Sequence, residues 1–458
     1  MAIKRDILVS ILSSITVVSY GILTTFLLPH FISVKDYGFY RLFMLFVGYV
    51  GFFHLGMLDG IQLFFGGKDL FKLPLNEVSN SFYGFFCIEA FVCLAVVLYG
   101  LFSGDSLIVF FGLAIFSING FNFFIYLYQS TGKIGEAALL NIAVYIILLA
   151  ANFVCLFAFR LTNYMVYVVN QFSVFFLVLI FTIFRFQSRY HLLSYEKAGD
   201  VPGIIRKLVS KGFVLMLSNI LYIGVLSLDK LFIRYNFSIE LFSFYSFAFA
   251  VLVIGNSVFM AVGNSIFFHF RSTLNSDEIQ LFFQIVISFI SIGSSAVFFI
   301  AGLITNFLPK YESSIVFIRI LIPSILPMAL IGLIIFNMFK LEHKLWLLVK
   351  VLLAVNLVSL AMYFLVTQVY NSELSVAYSF TLTTYLLLLL SIFALRMKLN
   401  REIWVFILFY LVVYFATVSL KNNTMAVILY SLIGLFANGL LWRSHMAKLN
   451  FNPLSQKR

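Results

Sequence analysis

The chain has 458 residues, of which 62% are hydrophobic and 10% are charged, and its mean hydropathy is +1.06. Soluble domains are about 45–50% apolar and about 25% charged, so this composition excludes a soluble enzyme and a disordered protein. The net charge of +12 does not indicate nucleic-acid binding, because the Lys and Arg residues lie in short runs between apolar stretches, where they orient membrane helices. We expect an integral membrane protein with no nucleic-acid partner.

Apolar runs long enough to cross a bilayer recur along the whole chain. The first run is too long for the apolar core of a signal peptide, so we expect it to remain as a membrane helix. The runs lie at about 7–32, 42–65, 81–103, 106–128, 137–159, 163–184, 212–235, 241–268, 281–307, 314–339, 345–367, 374–395, 403–420 and 424–442. The sequence therefore predicts an all-α integral membrane fold with about fourteen transmembrane helices.

The basic residues of the loops predict the orientation. With the N-terminus inside, 21 Lys and Arg residues fall on the inner side and 7 on the outer side, and Arg319 and Lys350 within helices complete the 30. Such an excess is the positive-inside pattern, and a miscounted helix would scramble it. We expect a multi-pass protein of the inner (plasma) membrane with both termini in the cytoplasm.

A polar stretch at 185–211 divides the chain. We predict an N-terminal six-helix lobe at 1–184, a basic cytoplasmic linker at 185–211 and a C-terminal six-helix lobe at 212–395. Two extra helices and a cytoplasmic tail follow at 396–458. Because six is an even number, the lobes would be parallel repeats in pseudo-two-fold symmetry about the membrane normal, an arrangement known in transporters.

An offset of 205 residues aligns the starts of the second and eighth helices. Segment 33–40 reads SVKDYGFY and segment 238–245 reads SIELFSFY. The identical positions are Ser33 with Ser238, Phe39 with Phe244, and Tyr40 with Tyr245. Both segments enter the second helix of their half, which favours the repeat.

Several short segments in a fixed order resemble one family. They are VKDYGFY at 34–40, HLGMLDGI at 54–61, GGK at 66–68, LDKLFI at 228–233 and LPKY at 308–311. Together with the helix count and the midpoint loop, they resemble bacterial polysaccharide transporters, the Wzx-type O-antigen and capsule repeat-unit flippases. These belong to the multidrug/oligosaccharidyl-lipid/polysaccharide exporter superfamily. The family pattern usually has Arg where this chain has Lys230, which keeps the charge but not the planar bidentate fork.

The resemblance implies two lobes around a cavity that opens alternately to either face. It implies as substrate an undecaprenyl-pyrophosphate-linked oligosaccharide, moved from the inner to the outer leaflet of a lipid bilayer whose lipids the protein contacts. Polysaccharide polymerase and chain-length proteins are candidate partners.

Ionisable residues inside membrane helices cost about 2.5–3.5 kcal/mol each on insertion scales and are therefore functional candidates. Asp59 and Glu89 in the first half are expected to bind a coupling ion, a proton or sodium. Four bases of the second half are expected to bind the pyrophosphate: Lys230, Arg234, Arg319 and Lys350. Each of these groups could instead pair across helices or snorkel to the interface, and Asp229 could form a local ion pair with Lys230.

Uncharged polar residues could line a path for sugars. Asn256 and Asn264 are eight residues apart, hence near one helical face, and Asn119 is a further candidate. The alternative for all three is hydrogen bonding between helices.

Two local patterns predict helix geometry. Gly56 and Gly60, which flank Asp59, allow a close approach of another helix. Pro323 and Pro327 should bend the tenth helix, which makes it a candidate gate or a packed kink.

Three functions remain open from the sequence. A flippase for lipid-linked oligosaccharide is favoured, and a multidrug or small-cation exporter is the alternative, although its cation site would call for an acidic cavity. A membrane polymerase or glycosyltransferase is disfavoured because such enzymes need a sizeable outer loop, and the predicted outer loops are short. The chain has no G-x-x-x-x-G-K-[ST] loop and no metal-binding motif, so we expect a non-enzyme without cofactor, metal or catalytic residues.

Overall fold

The computed structural model describes residues 2–193, 199–270, 276–420, 428–434 and 439, without side chains at 2–4, 7 and 258–277. All regular secondary structure in these ranges is helical, which confirms the predicted fold class. The predicted fourteenth helix at 424–442 falls largely outside the described residues.

Twelve helices of the described chain are long and apolar enough to cross a membrane, and a bent pair adds a thirteenth if it counts as one span. In chain order the helices are α1 (Leu8–Phe31), α2 (Val34–Phe52), α3 (Met57–Phe65), α4 (Leu75–Ser103), α5 (Ser106–Ser130), α6 (Ile134–Ala158), α7 (Tyr164–Tyr190), α8 (Val201–Val225), α9 (Leu228–Asn236), α10 (Ile239–Phe270), α11 (Glu278–Phe307), α12 (Ser314–Leu341), α13 (Leu345–Val369), α14 (Glu373–Ala394) and α15 (Arg401–Val418). The first thirteen predicted runs all correspond to these helices, as expected of a multi-pass membrane protein.

The helix ends differ from the prediction on both sides of the polar stretch. Helix α7 continues to Tyr190 and α8 begins at Val201, so both helices extend into the predicted linker at 185–211. Hydropathy marks only the apolar part of a helix, whereas Lys and Arg are good helix formers and continue it beyond the apolar segment. Asp200 then caps α8, since its side chain accepts a hydrogen bond of 2.8 Å from the Gly203 backbone N–H.

The chain forms two compact units, Met1–Ser246 and Phe247–Arg458. The first unit contains α1 to α9 and the start of α10, and the second contains the remaining helices. The predicted lobes and linker stay a prediction.

The second span is broken in the first unit. Helices α2 and α3 meet at an angle of 50° across residues 53–56. Leu55 and Gly56 both have positive φ, at 51° and 82°, a conformation that glycine adopts without strain. His54 stabilises the turn, because its Nδ1 accepts a hydrogen bond of 3.1 Å from the Gly56 backbone N–H. Across the break, bonds of the 3₁₀ type, such as the one of 2.8 Å from the Met57 N–H to the His54 carbonyl, replace the α-helical pattern.

Glycines bring α3 and α8 into backbone contact. A Cβ atom at Gly60 would overlap the carbonyl oxygen of Leu208, and one at Gly212 would overlap the carbonyl oxygen of Gly56. The predicted close approach at Gly56 and Gly60 is therefore confirmed, with α8 as the partner helix. Small residues allow such contacts in membranes, where dispersion forces and polar contacts hold helices together.

The two aligned segments start their helices in the same way. The Ser33 hydroxyl oxygen accepts a hydrogen bond of 2.9 Å from the Asp36 backbone N–H, and the Ser238 hydroxyl oxygen accepts one of 3.2 Å from the Leu241 N–H. The helix starts also touch, since a Cβ at Gly38 would lie 2.7 Å from the Ile239 carbonyl oxygen. Ser33 and Ser238 thus act as equivalent N-caps at the predicted offset.

Prolines alter α12 in the second unit without interrupting it. A 3₁₀ turn spans Ile322–Ser324 and a π turn spans Ile331–Ile335, yet Ser314–Leu341 remains one continuous span. Proline has no N–H, so Pro323 cannot donate to the carbonyl of Arg319 and Pro327 cannot donate to that of Pro323. These carbonyls need other donors in an apolar environment.

Helix α14 supplies one of those donors, and a second hydroxyl of the same helix bonds to a nearby carbonyl. Tyr385 of α14 donates to the Pro323 carbonyl at 3.0 Å, and Thr381 donates to the Ile320 carbonyl at 2.9 Å. A similar arrangement occurs in α11, where the Ser295 N–H bonds to Ile292 and the Tyr430 hydroxyl donates to the carbonyl of Ser291 at 2.5 Å. The irregular turns of α11 and α12 are therefore held by hydroxyls from elsewhere in the second unit.

Candidate functional site

The broken second span lies beside a buried carboxyl group. Glu89 of α4 is fully buried, and its two carboxylate oxygens accept hydrogen bonds of 3.2 and 3.0 Å from the Nδ2 of Asn119 on α5. The same Nδ2 lies 3.1 Å from the carbonyl oxygen of Val50, at the end of α2. One amide group thus connects the carboxyl group, α5 and the start of the break.

This arrangement can accommodate either protonation state of the carboxyl group. The Oδ1 of Asn119 is buried and has no described hydrogen-bond partner. Rotation of the amide would present this oxygen to a protonated Glu89, whereas the present orientation donates N–H to the carboxylate. No Lys, Arg or His side chain in the described ranges forms a salt bridge with Glu89. A neutral partner alone compensates a buried carboxylate poorly, which makes this group a candidate for binding a proton or a cation.

Asp59 lies on the other side of the break. It occupies the first turn of α3, where the positive end of the helix dipole stabilises a carboxylate. The side chain is 3% exposed, and its Oδ1 is 3.5 Å from the Nδ2 of Asn219 on α8. The Gly60–Leu208 contact brings α8 close enough for this pairing. Asp59 and Glu89 are therefore both buried and both hydrogen-bonded to an asparagine.

Lys230 and Asp229 form an ion pair in α9. The Lys230 ammonium lies 3.1 Å from the Asp229 carboxylate and also donates to the Leu226 carbonyl, while Tyr245 donates to the other Asp229 oxygen at 2.6 Å. Asp229 is fully buried and Lys230 is 6% exposed. The local ion pair considered from the sequence is present, and it favours a structural role for Lys230.

The other predicted substrate-binding residues lie in both units. Arg234 is half-buried on α9, and its Nε has no described hydrogen-bond partner. Arg319 is half-buried on α12, and Lys350 is exposed on α13. Asn256 is half-buried on α10 with a buried, unpartnered Oδ1, and the side chain of Asn264 lies outside the described residues. Their role in binding stays a prediction.

Several partner residues were missed by sequence reasoning. Asn219 and Tyr245, which bind the acids Asp59 and Asp229, lie 160 and 16 residues away from them in sequence. Helical periodicity does not show which faces meet, so it could not pair them. Asn119 was predicted either to contact sugars or to form hydrogen bonds between helices, and the structure shows the second. Within the described residues, no group of three or more His, Cys, Asp or Glu side chains could hold a metal ion.

Sequence comparison gives no relative. No protein-family profile matches the chain, and no curated protein matches it significantly.

Solved structures share the fold. The lipid II flippase MurJ in an inward closed conformation matches with a TM-score of 0.69 at 12% identity, over 96% of this chain and 99% of that protein. An inward-facing multidrug resistance MATE family transporter of the MOP superfamily matches with a TM-score of 0.62 at 11% identity, over 86% and 95%. A point mutant of the Vibrio cholerae MATE transporter VcmN matches with a TM-score of 0.54 at 12% identity, over 86% and 97%. The chain therefore has the fold of MOP-superfamily transporters.

Proposed function

We propose that the protein is a flippase that moves undecaprenyl-pyrophosphate-linked oligosaccharide repeat units, of O-antigen or capsule type, from the inner to the outer leaflet by alternating access. The observation that carries the proposal is the fold match to a lipid II flippase, which covers nearly the whole of both chains. The segments that resemble polysaccharide transporters support the choice of a lipid-linked oligosaccharide as substrate. No covalent chemistry is involved.

The basic residues support an anionic head group. Arg319 and Lys350 lie within membrane spans, where a charged side chain is costly and is retained for a purpose. Arg234 adds a third base, on α9 of the first unit. In the second unit, we propose that Arg319, Lys350, Asn256 and Asn264 contact the pyrophosphate and sugars. In the first unit, Arg234 is a separate candidate for contact with the same head group.

Glu89 supports coupling to protons. Its buried carboxyl group contacts the amide that also reaches the broken second span, so gain or loss of a proton changes the hydrogen bonding at that break. Asp59, at the start of α3, is the second candidate for ion coupling. We propose a proton as the coupling ion at Glu89, with sodium as the alternative.

A multidrug or small-cation exporter is the second candidate function. The fold match to MATE transporters and the buried acids Asp59 and Glu89 favour it. Two observations weigh against it: the MATE match covers 86% of this chain compared with 96% for the flippase, and the spans of the second unit carry bases.

The proposal is tested by deletion of the gene in its native host. Lipid-linked repeat units should accumulate in the inner leaflet and surface polysaccharide should be lost, with the glycosyltransferases still active. Plasmid-borne wild type should restore the surface polysaccharide. Repeat units that still reach the outer leaflet in the deletion strain would exclude the function, and increased sensitivity to cationic drugs without a polysaccharide defect would favour the exporter.

Single variants test the bases. Arg319→Ala and Lys350→Ala should reduce export of repeat units while leaving the protein level unchanged. Lys398→Ala is the control, because Lys398 lies outside the candidate spans. Normal export by both variants would remove Arg319 and Lys350 from the proposed binding site.

In the cell, candidate partners such as polysaccharide polymerase and chain-length proteins can be sought by cross-linking.

A further inference from the structure

Two lysines of the first unit converge on one aromatic ring. The Nζ of Lys68 lies 4.6 Å from the centre of the Phe64 ring, and the Nζ of Lys211 lies 5.0 Å from the same centre. The two ammonium groups are therefore separated by no more than the sum of these distances. Both lysines are exposed and Phe64 is half-buried. Contact with the ring is favourable for each cation, but the two cations repel each other.

The packing of α3 on α8 creates this pair. Phe64 belongs to the last turn of α3, and Lys68 follows in the loop, next to Gly67, whose N–H bonds to the Ser130 carbonyl at 3.0 Å. Lys211 directly precedes Gly212, the residue whose backbone contacts Gly56. The glycine contact therefore fixes how close the Lys211 side chain comes to the end of α3.

Acidic groups at the same end of the unit are engaged elsewhere. Glu136 forms salt bridges of 2.7 Å with Arg185 and 2.5 Å with Arg189. The Asp69 carboxylate accepts a hydrogen bond of 3.2 Å from the Phe71 backbone N–H. Over the described ranges, neither Lys68 nor Lys211 forms a salt bridge with Asp or Glu. The two lysines thus place two positive charges at one ring, and no described ion pair neutralises either of them.

We propose that Lys68, Lys211 and Phe64 form a binding site for the diphosphate of the polyprenyl-linked substrate, at the membrane surface predicted to be cytoplasmic. The inference rests on the proposed function and adds a first contact for the substrate outside the membrane spans. Ammonium groups donate charge-assisted hydrogen bonds to phosphate oxygens, and flexible lysine stems adapt to the ligand. Basic residues at the cytoplasmic ends of membrane helices attract lipid phosphates in the same way.

The experiment measures binding of farnesyl diphosphate to the purified full chain in phosphatidylcholine nanodiscs. The double variant Lys68→Gln/Lys211→Gln should bind the probe at least about tenfold more weakly than wild type, a loss of about 1.4 kcal/mol. Lys133→Gln is the matched control, because Lys133 lies 5.1 Å from the centre of the Phe71 ring as a single lysine. It should bind the probe like wild type.

Charge and folding are controlled separately. Lys68→Arg/Lys211→Arg keeps both charges and should retain binding, and this variant keeps the test informative if the glutamine variant unfolds. Wild-type affinity in the glutamine variant would overturn the proposal, as would an equal loss in Lys133→Gln. The proposal is also overturned if the two lysines affect binding of phosphatidylglycerol added to the nanodiscs but not that of farnesyl diphosphate.

This measurement is independent of the deletion experiment. Loss of diphosphate binding in the glutamine variant, with normal leaflet distribution of repeat units in the deletion strain, would support the site and exclude the flippase. Unchanged diphosphate binding in the glutamine variant, with repeat units retained in the inner leaflet of the deletion strain, would exclude the site but not the flippase.

Discussion

The hydroxyl group of Tyr414 on α15 donates a hydrogen bond of 3.0 Å to the backbone carbonyl of Arg319 on α12. This is the carbonyl that loses its α-helical donor to Pro323. Tyr385 does the same for the carbonyl that loses its donor to Pro327. Helix α15 therefore contributes to the geometry of α12, although the two bonded residues are 95 positions apart in the sequence.

Removal of these hydroxyls should destabilise the second unit. Tyr414→Phe and Tyr385→Phe each keep the ring but remove one hydrogen bond to a backbone carbonyl, at a cost of about 1 kcal/mol. Thermal unfolding in detergent should show a lower Tm for both variants. Tyr378→Phe, at an exposed tyrosine of α14, is the control and should leave the Tm unchanged. Equal values for all three variants would contradict the role of these hydroxyls.

The α3–α8 contact should not tolerate a methyl group. In Gly60→Ala the new Cβ would lie 2.8 Å from the Cα of Leu208, so one helix must move. We expect a loss of about 1–3 kcal/mol and a lower yield of monodisperse protein on size-exclusion chromatography. Gly21→Ala is the control, because no atom lies within 4 Å of its Cβ position. A Gly60→Ala protein as stable as the control would refute the contact.

The ion pair of α9 should be revealed by comparison of a single variant with a double variant. Asp229→Asn leaves the Lys230 ammonium buried without its counter-ion and should cost about 3–5 kcal/mol. Asp229→Asn/Lys230→Gln removes both charges and should recover most of the Tm. A structural role for the pair predicts that transport recovers with the Tm. A stable double variant without transport would instead indicate that Lys230 binds substrate.

Glu89→Gln should separate transport from the proton gradient. Glutamine keeps the shape and one acceptor for the Asn119 amide but cannot bind or release a proton. We expect normal protein levels and export that no longer responds to an imposed pH gradient, measured in proteoliposomes or inverted vesicles. Glu240→Gln, at an exposed glutamate of α10, should respond like wild type. A pH response retained in Glu89→Gln would exclude this residue as the coupling site.

The sequence predicted what depends on local pattern. Apolar runs of membrane length identified the spans, the Gly56–Gly60 spacing predicted a close helix contact, and Pro323 and Pro327 predicted a bend in the tenth helix. The structure shows irregular turns in this helix, and the bend stays a prediction. All three predictions follow from chemistry within a few neighbouring residues, which a single sequence contains.

The sequence could not predict which helices meet. Nothing in the periodicity of α8 distinguishes the face with Gly212 as the one that packs on α3, and a proline reveals a free carbonyl but not its donor. Lys68 and Lys211 were counted as charges that orient helices, and Lys68 also as part of the GGK segment. Their common contact with Phe64 was missed because it depends on tertiary packing. This information lies in which residues, far apart in the chain, pack against each other in the folded protein.

The hydrogen bond between Tyr414 and Arg319 has a consequence for biosynthesis. A ribosome delivers α12 to the bilayer well before it has translated residue 414. The Arg319 carbonyl therefore lacks this donor until α15 has been inserted. Helix α12 then reaches its final hydrogen bonding late in biosynthesis. A stalled or shortened nascent chain that lacks α15 should be recognised by membrane quality-control proteases.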